Sequence, residues 1–551
     1  MSVKSGRAQY ALKPARRQAP FSGTAILLRF MVRRDRIRAT AWIVGIGCLG
    51  FYFAHAIQFL AETEDELRTM TTMFTDPLGR MISGPGFGME NPTHERLFSG
   101  GYVLYLYLLV GLMSIFTVVR HTRLEEQTGR AELIRANVVG RHATLTAALL
   151  LAGICNLVVG LLIWIAALSA DYAVQGSLLV AIGACAVGLF FAGIATVAAQ
   201  LSESSRAASG IAGATLGLAF LVRMGGDAAE PGGSTLSWFS PLAWAQQTAP
   251  YVDDRWWPLL IPTGFAILLV WLGYWLSTTR DVGASLVPTR LGPRVARPLL
   301  GTPQGLALHT LKGTLTGWVI ALLLASLMFG SFAQTVVDVA DDLPPEMAQV
   351  FAGEDMLRGY LAYIAVFMTV FIGAAGVSGL HQVRGEENSG RAEYAMSAPV
   401  SRTAWLGAHL GVLILGVLLI QVVVGVGMGL GALASLDTEG GKYFADLLLA
   451  GIVQVPAVLA LIGVVVGLLG WLPKIALGVG WFFVGFGAVM STFGQLLELP
   501  DALANLDIFG HLAEYPVEQV ELGPVGVLLA IAVGGIVIGL IGWNRRQINC
   551  V

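Results

Sequence analysis

The side chains best suited to chemistry in this sequence lie in one charged phrase that occurs twice. It reads RLEEQTGRAELIRANVVGR at 123–141 and RGEENSGRAEYAMSAPVSR at 384–402. An offset of 261 residues, the distance from Arg123 to Arg384, aligns the paired glutamates, the Gly-Arg-Ala-Glu run and the closing arginine. Closely spaced carboxylates and guanidinium groups form ion pairs and recognise charged partners. A self-similar pattern at a fixed offset indicates an internal duplication.

Other chemistries have little support. No G-x-x-x-x-G-K-[ST] run occurs, and LDTEGGKYF at 436–444 lacks the leading Gly and the Ser or Thr of a phosphate-binding loop. The four cysteines, Cys48, Cys155, Cys185 and Cys550, have no spacing typical of a disulfide framework or a metal site. The net charge of −2 gives no reason to invoke nucleic acid. We therefore expect this chain to bind no cofactor, metal or nucleic acid itself.

The elements that must position the charged phrases are apolar. Hydrophobic residues make up 55% of the chain, charged residues 13%, and the mean hydropathy is +0.70, which indicates a membrane protein. A spanning helix needs about 20 mostly apolar residues. Twelve such runs occur, at 39–60, 101–119, 143–170, 176–199, 207–222, 257–276, 317–337, 360–380, 403–434, 445–469, 475–496 and 523–543. Apart from Asp446 they contain no Asp, Glu, Lys or Arg.

The sequence thus predicts an all-α integral membrane protein with two tandem six-helix units. The predicted domains are a cytoplasmic segment 1–38, a first unit 39–276, a cytoplasmic linker 277–312 and a second unit 313–551. Segment 21–38 alternates apolar residues with arginines and predicts an amphipathic helix in the membrane interface, in contact with membrane lipid. Lys and Arg cluster in alternate loops, whereas the 497–522 loop contains neither. The positive-inside rule then places both termini and both charged phrases in the cytoplasm of a multi-pass cell-membrane protein.

Each charged phrase falls between the second and third spans of its unit. Glu126 and Arg130 stand at i,i+4, as do Glu387 and Arg391, which favours an ion pair on a short surface helix. A solvated turn that merely obeys the positive-inside rule is the alternative. A match that is closer in the loops than in the helices around them favours a shared cytoplasmic partner that contacts both phrases.

These residues resemble the membrane subunits of type-2 ABC exporters, in which a loop containing Glu-Glu-x-x-Gly between spans two and three forms the coupling helix. The resemblance covers the whole chain and is closest to fused twelve-span permeases of the polyketide-antibiotic or multidrug group. It implies an exporter without its own ATPase site, which moves hydrophobic or amphipathic small molecules outward by alternating access. Each half would dock one subunit of a P-loop ATPase dimer that holds ATP and Mg. The residues implied at that contact are Arg123, Glu125, Glu126, Gly129, Arg130, Glu132, Arg384, Glu386, Glu387, Gly390, Arg391 and Glu393.

The resemblance also implies a substrate cavity between the two units. Adaptable apolar side chains suit bulky hydrophobic ligands, although ordinary helix packing is the alternative for each of them. The candidates are Met113, Phe116, Phe220, Met368, Phe371, Phe482, Phe483 and Met490. Outer segments 72–87, 342–356, 236–250 and 506–516 are predicted to cap the exit.

A secondary transporter of the major-facilitator type is the competing hypothesis, because it also has twelve spans and a signature loop after the second. That signature is a G-x-x-x-D-R-x-G-R-R-type run, which both charged phrases lack. Ion-coupled transport also uses ionisable groups within the membrane, and the predicted spans nearly lack them. The residues therefore favour the ATP-driven class.

Overall fold

The computed structural model describes residues 19–61, 63–75, 77–135, 139–281, 283–287, 294–339, 356–436, 440–493 and 506–547. All regular elements within these residues are helical, which confirms the predicted all-α class. The chain divides into two compact units, Met1–Leu291 and Gly292–Val551, and each has its own buried apolar core.

The first unit is built around six long helices joined by short ones. Its α-helices are α1 Thr24–Leu60, α2 Glu64–Thr75, α3 Pro77–Ser83, α4 His94–Leu97, α5 Val103–His121, α6 Arg123–Gln127, α7 Arg130–Arg135, α8 Ala143–Ser169, α9 Val174–Leu201, α10 Ser205–Ala229, α11 Pro241–Gln246 and α12 Leu260–Thr279. A π-helical turn at Phe98–Tyr102 links α4 to α5, and 3-10 turns occupy Ser237–Phe239 and Trp257–Leu259.

The second unit follows a 3-10 turn at Pro298–Gly301. Its α-helices are α13 Pro303–Ser331, α14 Ala333–Val339, α15 Met356–Asn388, α16 Arg391–Met396, α17 Arg402–Ser435, α18 Gly440–Val453, α19 Val455–Trp471, α20 Ala476–Phe493 and α21 Leu522–Arg545. Side-chain hydrogen bonds cap the first turn of two of these helices. Ser401 caps α17 by accepting from the Ala404 amide, and Thr302 caps α13 by accepting from Gly305.

Eleven helical stretches among the described residues are long and apolar enough to cross a membrane, and Ala476–Ser491 is a shorter apolar helix. The last lies where the sequence predicts a span at 475–496. Residues 494–505 lie outside the described part of the chain, so the predicted span at 475–496, and with it the total of twelve, stays a prediction. In a membrane protein, helices of this kind satisfy every backbone polar group within the segment.

Two helices differ from the predicted runs. The helix of the fifth predicted span, α10, continues past the predicted end at 222. It therefore includes Arg223 and Asp227, both fully buried. Both lie beyond the predicted run 207–222, and they pair within the helix, with 3.0 Å between Arg223 Nη1 and Asp227 Oδ2. The predicted interfacial segment 21–38 also continues without a break into the first span as α1.

Glycine packing holds the last helix of the second unit. A Cβ added to Gly535 would lie 2.3 Å from the carbonyl oxygen of Gly463, and one added to Gly539 would lie 2.4 Å from that of Val466. Helices α19 and α21 therefore meet backbone to backbone, as small residues allow between membrane helices. In the first unit, the packing of α12 on α9 includes Gly273, where a Cβ would lie 2.1 Å from Thr196 Cγ2.

Candidate functional site

Both charged phrases fold as a helix, a left-handed glycine and a second short helix. In the first unit α6 precedes Gly129, whose φ is 73°, and α7 begins at Arg130. In the second unit α15 runs to Asn388, Gly390 has a φ of 74°, and α16 begins at Arg391. A positive φ costs a glycine nothing because it has no Cβ. The duplicated sequence thus gives the same turn twice.

The turn rules out the predicted ion pairs of Glu126 with Arg130 and of Glu387 with Arg391. Spacing at i,i+4 brings side chains together only on a continuous helix, and each glycine interrupts that helix. Arg130 instead pairs with Glu125, with 3.8 Å between Arg130 Nη1 and Glu125 Oε1. Arg391 donates two hydrogen bonds of 2.8 Å to Glu386, and this bonding raises the pKa of Arg391.

In the first unit the second glutamate of the phrase is held by two arginines. Arg123 Nη1 lies 2.6 Å from Glu126 Oε2. Arg280, the residue after α12, donates one hydrogen bond of 2.8 Å to each carboxylate oxygen of Glu126. Arg123 also donates to the carbonyl oxygens of Gly283 and Ala284. The result is a bidentate, largely buried Arg-Glu-Arg cluster, which is the strong form of a carboxylate–guanidinium contact.

The second unit builds the same cluster from equivalent elements. Glu387 is fully buried and pairs with Arg384 three residues earlier. Arg546, which follows α21, donates to both carboxylate oxygens of Glu387 at 2.5 and 2.8 Å. The Arg546 guanidinium also lies 4.6 Å from the centroid of the Trp543 ring. Removing one partner of such a buried pair costs about 3–5 kcal/mol, because the other charge stays buried without compensation.

The first glutamate of the phrase distinguishes the two units. Glu125 is buried and accepts a hydrogen bond of 2.6 Å from Arg34 on α1. The next residue, Asp35, pairs with Arg120 and His121 at 2.8 Å each. In the second unit Glu386, the counterpart of Glu125, bonds to Arg391 within the phrase. Among the described residues, the first helix is thus tied to the charged phrase by ion pairs only in the first unit.

Both phrases expose a large side chain beyond the glycine turn. Leu133 on α7 is 71% exposed, and its counterpart Tyr394 on α16 is 83% exposed. The predicted residues Gly129, Arg130 and Glu132 surround the first, and Arg391 and Glu393 the second; all five are exposed. Leu133 and Tyr394 are therefore accessible to another protein, and tyrosine is among the residues enriched in protein interfaces.

The structure therefore divides the predicted coupling residues into two groups. One group is the five exposed residues just named, and the other consists of residues that bond to side chains of this chain. Glu126 and Arg123 in the first unit, and Glu387 and Arg384 in the second, form the bases that attach the phrases to their own units. Glu125 and Glu386 also engage arginines of this chain, and Gly390 forms the second turn. Arg123, Glu125 and Glu387 are buried against residues of this chain, and their role in coupling stays a prediction.

Sequence reasoning missed four of the residues that define the site. Arg280 and Arg546 are separated by 266 residues, not by the 261 that align the phrases, so the repeat does not superimpose them. The sequence contained one signal, since each is a basic residue within four positions of the end of the last apolar run of its half. Leu133 and Tyr394 do superimpose at the repeat offset but differ in type.

The candidate cavity residues lie in different environments of their own units. Met113 and Met368 are buried in the two cores, so helix packing accounts for them. Phe116 and Phe482 are exposed, and Phe482 packs on Phe483 with 5.5 Å between ring centroids. Three others are partly buried: Phe220 under the Arg223 guanidinium, Phe371 against Phe367, and Met490.

Two of the predicted cap segments of the first unit are joined by a buried polar cluster. Arg80 on α3 donates from Nε to the Asp227 carbonyl oxygen at 2.9 Å, and Ser237 donates to the Asp227 carboxylate at 2.5 Å. Gln246 on α11 donates to the carbonyl oxygen of Ser83 at 2.8 Å. Segments 77–83 and 237–246 thus pack together over the end of α10. Residues 342–355 of the predicted cap lie outside the described part of the chain.

Comparison with known proteins gives the family. The family described as "Multidrug efflux system permease Rv1217c, C-terminal domain" matches residues 27–276 and 300–544. The chain is also 34% identical over 549 residues, 98% of each chain, to the multidrug efflux system permease protein Rv1217c of Mycobacterium tuberculosis (strain ATCC 25618 / H37Rv). The chain belongs to this permease family. The permease is accordingly a multi-pass protein of the cell membrane, and its family indicates transport and not chemical catalysis.

Proposed function

We propose that this permease is the membrane subunit of an ATP-binding-cassette exporter. It moves hydrophobic or amphipathic small molecules outward by alternating access, and a separate cytoplasmic dimer of P-loop ATPase subunits, with ATP and Mg, drives it. The relative named above is a multidrug efflux permease, which supports efflux of drug-like substrates by this chain as well.

The observation that carries the proposal is that both charged phrases end in the same kind of exposed tip, the short helix α7 with Leu133 and the short helix α16 with Tyr394. Each unit holds the base of its phrase in a buried Arg-Glu-Arg cluster and projects one large exposed side chain, Leu133 or Tyr394, beyond a left-handed glycine. A solvated turn needs neither a rigid base nor an exposed apolar tip. Two equivalent tips suit a partner that is itself a dimer, because symmetric partners present the same surface twice.

The separation of the ATPase onto another chain is supported by the sequence, which contains no G-x-x-x-x-G-K-[ST] run. The energy of transport would therefore reach the permease through a protein contact.

The proposal is tested by purifying the tagged permease from its native membranes and identifying any P-loop ATPase that copurifies. The double variant Leu133→Asp with Tyr394→Asp should lose at least about tenfold in ATPase affinity, equivalent to roughly 1.4 kcal/mol. Efflux of a fluorescent hydrophobic dye should fall with it. Phe239→Asp is the matched control and should leave ATPase binding unchanged. Phe239 is 77% exposed and follows the end of α10, whereas the start of α10 contacts the first charged phrase at Gln127.

A permease that purifies without any ATPase, and whose efflux stops when the proton gradient is collapsed at constant ATP, would contradict the proposal. That result would favour the major-facilitator alternative.

A further inference from the structure

The last helix of each unit is attached to the charged phrase at two points. The first is the ion pair described above, which joins Glu126 to Arg280 after α12 and Glu387 to Arg546 after α21. Both ion pairs are bidentate, with distances between 2.5 and 2.8 Å. Such geometry fixes orientation as well as distance.

The second attachment comes from the arginine that closes the phrase. Arg141 donates from Nη2 to the carbonyl oxygen of Thr278 at 2.8 Å. Its repeat counterpart Arg402 donates from Nη1 to the carbonyl oxygen of Arg546 at 2.9 Å. The last carbonyl groups of a helix have no partner within the helix, and a cation there also complements the helix dipole. The phrase therefore holds the end of the last helix from both of its own ends.

A duplicated chain offers an internal comparison. The ion pair between the phrase and the first helix, Arg34 with Glu125, has no described counterpart in the second unit, where Glu386 bonds to Arg391. The attachment to the last helix is present in both units. The two units differ in sequence elsewhere but share this connection. Arg280 and Arg546 are 266 residues apart, whereas the phrases align at an offset of 261. The shared feature is thus the contact itself and not a stretch of unchanged sequence.

The last helices are also firmly packed within their units. Helix α21 contacts α19 through glycines at backbone distance, and α12 approaches α9 at Gly273. A displacement applied to the end of the last helix would therefore move its neighbour too, since a close-packed interface transmits strain.

We propose that Arg280 and Arg546 are positioning residues that transmit movement of each charged phrase to the last helix of its own unit. The inference rests on the proposed function, because the movement originates in the ATPase dimer. The phrase acts as a lever whose exposed tip contacts the ATPase and whose base is fastened to the helix that must move.

The experiment compares Arg280→Gln and Arg546→Gln with Arg545→Gln, a matched control because Arg545 is the exposed neighbour of Arg546. Dye efflux, ATPase copurification and ATP hydrolysis by the complex are measured for each. The two test variants should keep the ATPase bound and hydrolysing ATP, while efflux falls about tenfold. Arg545→Gln should retain efflux. The loss of efflux in the double variant Glu126→Gln with Arg280→Gln should be smaller than the two single losses combined, because both changes remove the contact between Arg280 and Glu126.

A measurement on the permease alone separates this inference from the proposed function. Deuterium exchange in the last turn of α12 should increase in Arg280→Gln and recover in Arg280→Lys, which keeps the charge and can donate to Glu126. Arg280→Lys also covers the case in which the Gln variant does not fold, and it should recover efflux in part. Unchanged exchange, efflux equal to that of Arg545→Gln, or loss of ATPase binding together with efflux would each overturn the inference. Absence of any ATPase with the unmodified permease, despite the expected exchange, would instead refute the proposed function.

Discussion

At the scale of single residues, the backbone of one glycine decides how the charged phrase is presented. Gly129 has a φ of 73°, and a Cβ added there would meet no atom within 4 Å. Space therefore does not require glycine, but the left-handed conformation does. The i,i+4 pattern of Glu126 and Arg130 is a sound local signal that this conformation overrides.

We expect Gly129→Ala to reduce the stability of the turn by about 1–2 kcal/mol, the cost of a side chain in the left-handed region. Deuterium exchange at 130–135 should rise, and Gly129→Asn should have a smaller effect because Asn tolerates this conformation better. Gly385→Ala is the control, since Gly385 lies inside α15 without a positive φ and with no atom within 4 Å of an added Cβ. An equal effect of Gly385→Ala and Gly129→Ala would show that the turn conformation is not the cause.

At the scale of helices, apolar runs define the spans, whereas close contacts decide how they pack. The face of α21 that contacts α19 carries Gly535, Gly539 and Gly542, each with backbone of the neighbouring helix within 3 Å of an added Cβ. Gly534, one residue earlier, would meet nothing within 4 Å. Neighbouring glycines in one helix thus have opposite structural roles.

Gly535→Ala should force α21 away from α19 and lower the stability of the protein by about 1–3 kcal/mol, as overpacking does. Thermal unfolding in detergent measures this directly. Gly534→Ala should be neutral or slightly stabilising, because alanine has the higher helix propensity. Similar unfolding temperatures for the two variants would contradict the backbone contact.

At the scale of the whole molecule, the distribution of charge predicts the orientation in the membrane. The charged phrases and the basic amino terminus are expected in the cytoplasm, and the acidic 497–522 loop outside. Cysteine labelling with a membrane-impermeant maleimide on intact cells tests this in a background without the four natural cysteines. Glu518→Cys should react, whereas Glu132→Cys should react only after the membrane is opened; both residues are exposed. The reverse pattern would invert the topology and place the tips out of reach of a cytoplasmic ATPase.

The sequence by itself determined the helical class, the approximate spans and the repetition of the charged phrase. Hydrophobic periodicity and length control these features because each helix satisfies its own backbone in the membrane. Only the tertiary structure decided which charges of the phrases pair with the last helices: Glu126 with Arg280, and Glu387 with Arg546. Ion pairs between distant elements depend on which helix ends meet, and local spacing carries no information about that.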